Sequence, residues 1–151
     1  MVLYIDTFQE RYHHPKEDAY LFRKLRERTS EFDATLDELE RQHVAGHRLV
    51  EELARSIDVY EASPLGGLTG FSEAVGRFST SQIQHMALEA KVIIPAARVH
   101  LTREDWTEIG AAFAANGDPR FSVDNDEEFR ELFVRIVNLA QAPVASAPAR
   151  N

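Results

Sequence analysis

Residues 35–57 read TLDELERQHVAGHRLVEELARSI. In this stretch Leu36, Leu39, His43, His47, Val50, Ala54 and Ile57 recur at intervals of three or four. That spacing lines up one face of an α-helix. Two histidines therefore stand one turn apart in an apolar stripe, with both rings on the same face. The helix is predicted to start near Thr35, where Thr35 and Glu38 have the spacing of a capping box.

Toward the N-terminus, residues 3–28 predict another helix, with apolar positions at Leu3, Phe8, Tyr12, Leu21 and Leu25. Pro15 should kink or break it, because proline removes a backbone donor. Toward the C-terminus, residues 60–70 hold Pro64, Gly66, Gly67 and Gly70 and read as a loop. A third helix is predicted over residues 71–100, with a stripe of Phe71, Val75, Phe78, Gln82, His85, Glu89, Val92 and Ala96 and a bend at Pro95. Thr102 and Asp105 have the pattern of a helix start, opening a short helix through Trp106, Ile109 and Phe113 that Gly117 and Pro119 end. A last amphipathic helix is expected over residues 126–140, carrying Phe129, Leu132, Phe133, Ile136 and Val137. No strand alternation persists and no internal repeat is visible, so the expected fold is all-α, an up-down helical bundle. The expected division is a bundle over residues 1–121, a C-terminal amphipathic helix over 122–141 and a small, Pro-containing tail over 142–151 with the composition of a disordered segment.

The 151 residues suit one domain with a real core. A formal net charge of -8 repels a phosphate backbone, which argues against nucleic acid as a partner. No apolar run is long enough for a bilayer, and the first residues lack the basic-then-apolar order of a signal peptide, so a cytoplasmic protein is expected. Zero cysteines exclude disulfides, thiolate zinc sites and iron–sulfur clusters. Any metal here must take imidazole and carboxylate ligands.

Five of the six histidines fall in three tight motifs. His43 and His47 are one; His85 and Glu89 are another, within the stripe of Phe78 and Val92; His13, with His14 beside it, and Glu17 repeat the spacing on the first helix. Each long helix thus offers a pair of donors. A buried carboxylate without a partner is costly, and a cation shared between helices would offset that cost. Imidazole and carboxylate together suit iron, zinc or manganese. Taken singly, the bland readings are a surface pair for His13 and Glu17 and a helix-surface hydrogen bond for His85 and Glu89. Their joint occurrence, one pair per helix, favours metal. His100 reads as a helix C-terminal residue, Trp106 as packing for the short helix, Met86 as core filler, and the acidic run at residues 124–128 as a solvated helix start. The segment SPLGGLTG lacks the Lys-Ser/Thr ending of a phosphate loop.

HHPKED at 13–18, ERQHVAGH at 40–47, QHMALEAKVIIPAA at 84–97 and LTREDWTEIGAAFAANGDP at 101–119 together resemble the hemerythrin-like, HHE cation-binding domains. The resemblance implies a four-helix bundle around a non-haem, usually di-iron, centre, in proteins that bind dioxygen, sense oxygen or redox state, handle iron, or respond to nitric oxide and oxidants. By that resemblance His13 and Glu17, His43 and His47, and His85 and Glu89 are the metal ligands. His14 matches a position that sometimes supplies one, and ranks behind the others because it is rotated by one residue. The family's first helix has no counterpart here. On that expectation one cation keeps His43, His47 and His85 with both carboxylates, and the other is left with His13 and His14. A single or unevenly filled iron site follows, with an apolar groove left open for a homodimer partner or for the C-terminal helix. The expected activity is the binding or sensing of dioxygen or a related small oxidant, or iron handling. The alternatives are a metal-dependent enzyme working on oxidants or a metal-free dimerisation module.

Overall fold

A computed structural model describes residues 5–115 of the chain. The described residues form four helices, which we call α1 (residues 5–28), α2 (Asp33–Ala62), α3 (residues 64–100) and α4 (Arg103–Ala114). The predicted helix at 126–140, the stop at Gly117 and Pro119, the tail, and Leu3 lie outside the described residues.

The helices alternate in direction. Across α2 and α3, Phe32 meets His100, His43 meets His85, and Tyr60 meets Phe71, a sequence of pairs that only antiparallel helices give. On α1, Phe22 stacks on His43 while Arg26 pairs with Asp37 and Glu40, so α1 also runs against α2. The short α4 lies back along α1: Arg28 and Lys24 pair with Asp105, and Lys16 donates to the Ala112 carbonyl at 2.7 Å. This is the up-down bundle that the hydrophobic periodicity predicts. Its apolar core gathers Leu21, Phe22, Leu25, Leu36, Leu39, Ile93, Ala96, Ala97, Leu101 and Ile109 at one end of the three long helices.

Two of the long helices are not uniform. α1 widens into π turns over Ile5–His13 and again over Glu17–Phe22, and α3 does so over Glu89–Ile93. Pro15 and Pro95 follow directly on two of these stretches. A proline ring cannot donate to the carbonyl four residues back and collides with it, and a wider turn relieves both problems. The break expected at Pro15 is therefore absent: the helix runs on, with its register shifted.

Three further expectations are corrected. Residues 60–70 are not a loop. α2 continues to Ala62 and α3 opens at Pro64, with a turn closed by bonds from Ser63 N to Val59 O and from Gly67 N to Ser63 O. Proline suits the first position of a helix, whose amide has no partner anyway. Gly67 is there for close approach, since a Cβ on it would lie 2.6 Å from Tyr60 Cα. The Thr35–Glu38 capping box does not form either. The helix begins at Asp33 with no side-chain cap, and Glu38 accepts from Gln42 at 2.8 Å. Met86 is 54 % exposed and does not fill the core. The box at Thr102 and Asp105 does form, with both reciprocal bonds in place. His100 ends α3 as expected, with its ring against Phe32.

Candidate metal centre

Beyond the apolar core the interior of the bundle turns polar. Glu10, His14, Glu17, His43 and His85 are all buried. α1 supplies the first three, α2 supplies His43 and α3 supplies His85. Donor atoms of His14, Glu17, His43 and His85 all lie within 4.8 Å of one another. The His14 and His43 rings stack with centroids 4.1 Å apart, and His85 stands 4.9 Å from His43.

Two of the rings are held from behind. His43 Nδ1 lies 2.9 Å from Asp18 Oδ1, and His85 Nδ1 lies 3.2 Å from Gln42 Oε1. Each acceptor draws the ring proton to Nδ1 and leaves Nε2 with a free lone pair facing the interior. Metal-binding imidazoles are oriented in this way. Opposite those lone pairs sit carboxylates: Glu17 Oε2 is 3.5 Å from His43 Nε2, and Glu89 Oε1 is 3.2 Å from His85 Nε2.

The decisive feature is what these atoms lack. Among the described residues seven buried side-chain oxygens and nitrogens have no hydrogen-bond partner, and six of them are Glu10 Oε1 and Oε2, His14 Nδ1, Glu17 Oε2, His43 Nε2 and Glu89 Oε1. Each orphaned buried group costs about 1–3 kcal/mol, and more when charged. So many in one place point to a ligand that satisfies them together. All six can donate an electron pair, and the lysines and arginines of α1 are spent elsewhere, as with Lys16 on α4 and Arg26 on α2. The set fits a cation. Without one, protons stand in. Burial works against charge on His85, but Glu89, with help from Glu17 and Glu10, outweighs it and raises the His85 pKa. Burial likewise opposes ionisation of Glu89, and His85 overcomes it and lowers the Glu89 pKa.

The hemerythrin HHE cation binding domain matches residues 1–97. The chain belongs to that family. No curated protein and no solved structure gives a significant match. The structure brings together only some of the residues that the motifs single out. Glu17, His43 and His85 converge, with Glu89 at the edge. The two rings of HHPKED exchange roles: His14 is the buried one, while His13 stays half-buried, 3.0 Å from Glu17 and edge-on to Phe113 of α4. The π turn ending at His13 accounts for the exchange, because it rotates everything after it relative to a regular helix. His47 is not in the cluster. Its side chain is 54 % exposed, and its Nε2 lies 3.9 Å from Glu10 Oε2. The motifs also missed Glu10, Asp18 and Gln42. Glu10 stands four residues before His14 on α1, the same spacing as the other pairs.

A cavity of about 310 Å³ opens beside the cluster, lined by Gln9, His13, His14, Phe78, Gln82, His85, Met86 and Glu89. Of the four clustered residues, His14 and His85 line it. No helix among the described residues is long and apolar enough to cross a membrane.

Proposed function

We propose that this chain holds a non-haem iron ion at Glu17, His43 and His85, with Glu89 and His14 at its margin, and uses it to bind or sense dioxygen or a related small oxidant, or to handle iron. The observation that supports this reading most is the convergence of partnerless buried donor atoms from three helices. Mixed imidazole and carboxylate donors favour iron, manganese or zinc over calcium and magnesium, and the absence of cysteine removes softer alternatives. Bound iron would supply the redox and dioxygen chemistry. The chain's own contribution is to fix the His43 and His85 rings through Asp18 and Gln42, and to admit small molecules through the cavity walled by Phe78 and Met86.

That cavity also supports a second reading, a metal-dependent enzyme acting on a peroxide or nitric oxide. It has room for a small molecule beside the donors, but among the described residues no nucleophile outside the cluster lines it. Metal analysis of anaerobically purified protein, with an optical spectrum, tests the main proposal. We expect stoichiometric iron, lost in His85→Ala together with the thermal stability that the ion confers. Protein that takes up no iron, manganese or zinc after reconstitution would refute it. Turnover of added peroxide or nitric oxide would favour the second reading.

A further inference from the structure

One long face of α3 carries no charge. Leu68, Ser72, Val75, Ser79, Ile83 and Met86 recur at intervals of three or four, and all six are exposed. Ile83 is 63 % exposed, more than the Met86 that follows it. In a chain with 28 % charged residues, an uncharged and exposed stripe of that length marks a contact surface. The charges of the same stretch are engaged elsewhere, as with Arg77, which pairs with Glu52 of α2 and with Glu73.

The other end of α3 is covered. Ile93, Ala96 and Ala97 are buried in the apolar core, where Ile109 of α4 joins them and Phe113 packs against the cluster. α4 then ends, with Phe113 against His13. His13 lines the cavity beside the donors, and so does Met86 of the open stripe. The chain thus leaves α4 where the covered part of α3 gives way to the open part. Residues 116–125 come next and reach roughly 33 Å when extended. That exceeds the roughly 27 Å of helix over residues 68–86.

We propose that residues 126–140 pack as an amphipathic helix against the 68–86 face of α3 in the same chain. Phe129, Leu132, Phe133, Ile136 and Val137 fall at intervals of three and one, which gathers them on one side. A helix of that length is marginal in water by itself and needs an apolar surface over its roughly 22 Å. The open face of α3 supplies one. A second copy of the chain would cover α3 and leave the stripe at 129–137 still to be buried. The tethered segment buries both faces in one contact, at the high effective concentration that a short linker gives. The contact needs no cation and stands apart from the cation-binding reading. It bears on the donor end all the same, because Met86 belongs both to the stripe and to the cavity wall.

The chain has no cysteine, so a single introduced thiol reports its own cover. The full chain carrying Ser79→Cys, or separately Ile83→Cys, is reacted with a maleimide and followed by mass spectrometry. Light scattering gives the oligomeric state, and circular dichroism checks folding. Glu31→Cys, at an exposed position in the turn between α1 and α2, is the fast control. Both α3 thiols should react slowly and at a rate independent of protein concentration. Adding Phe133→Asp should speed both at least about tenfold and leave the control unchanged. Ile136→Asp repeats the test on the same stripe if Phe133→Asp misfolds. The inference is overturned if the α3 thiols react as fast as the control from the outset, or if their slow reaction ignores both segment variants. Slow reaction that becomes fast on dilution, as a dimer dissociates, would also overturn it and give the face to a second copy.

Discussion

The two ends of the same three helices are built on opposite principles. At one end Phe22, Leu25, Leu36, Leu39, Ile93 and Ala97 are fully buried and satisfy one another by contact alone. Toward the other end Glu10, Glu17, His43 and His85 are nearly as deeply buried, but several of their polar atoms have no hydrogen-bond partner among the described residues. The apolar end is complete as it stands. The polar end costs free energy unless a further group, such as a cation, completes it. The π turns of α1 and α3 hold or adjoin Glu10, His14, Glu17 and Glu89, and they run on to Phe22 and Ile93 of the apolar core. Such turns recur at functional sites because they place side chains where a regular helix does not.

The largest effect that separates the two ends should come from the apolar one. Leu25→Ala removes a fully buried side chain and should cost about 2–5 kcal/mol in chemical denaturation, the range for emptied leucine sites. Iron per folded chain should not change, because Leu25 belongs to the apolar core cluster. If Leu25→Ala lost iron while still folded, the two ends would be one cooperative unit and the comparison would fail.

The same contrast explains what the sequence reveals and what it hides. Leu21, Leu25, Leu36 and Leu39 fall at helical intervals and are buried as the spacing predicts. A hydrophobic stripe reports its own burial. His43, His85 and Glu89 were legible for the same reason, since they interrupt such stripes, whereas Glu17 was marked only by its spacing from His13. His14 was ranked behind His13, and Glu10 was passed over, because reading a face assumes a constant turn, and the π segment Ile5–His13 breaks that assumption. The signal was Pro15, which reads as a break but acts as a shift of register. Residues 64–70 were misread because Pro64 and the glycines resemble loop punctuation. In the structure Pro64 starts a helix, and Gly67 lets α3 pass close to Tyr60. Tertiary packing decides that point, and local composition cannot report it.

A smaller effect should come from the carboxylate that ties α4 to the apolar end. Asp105 receives Arg28 through two nitrogens at 2.9 and 3.1 Å and also accepts from the Thr102 amide at 3.0 Å. Arg28, and next the Thr102 amide, hold its carboxyl far below the ordinary range against the opposing effect of burial. A group with a lowered folded-state pKa stabilises the fold above its unfolded value, near about 4. That contribution is lost as the pH falls through the folded value. Asp105→Asn should therefore lower the melting temperature at neutral pH, and the gap to the wild type should narrow as the pH drops below about 4. A gap that stays constant down to acid pH would assign the loss to packing and not to charge.

The smallest effect belongs to the other half of the same capping box. Thr102 Oγ1 accepts from the Asp105 amide at 3.2 Å, and Thr102→Ala should cost about 1 kcal/mol, the usual value for a lost N-cap. Unlike the change at Asp105, this loss should not depend on pH between neutral and mildly acid conditions, because no charge is removed. α4 also meets the donor end, where Phe113 packs against His13 and Ala112 accepts from Lys16. Loosening its first turn therefore tests whether α4 is only a cover for the apolar core. If iron release from Thr102→Ala is no faster than from the wild type, the cover and the metal centre are independent. Faster release at unchanged iron stoichiometry would mean that α4 holds His13, and through it Glu17, in place, joining the two ends at the one helix that touches both.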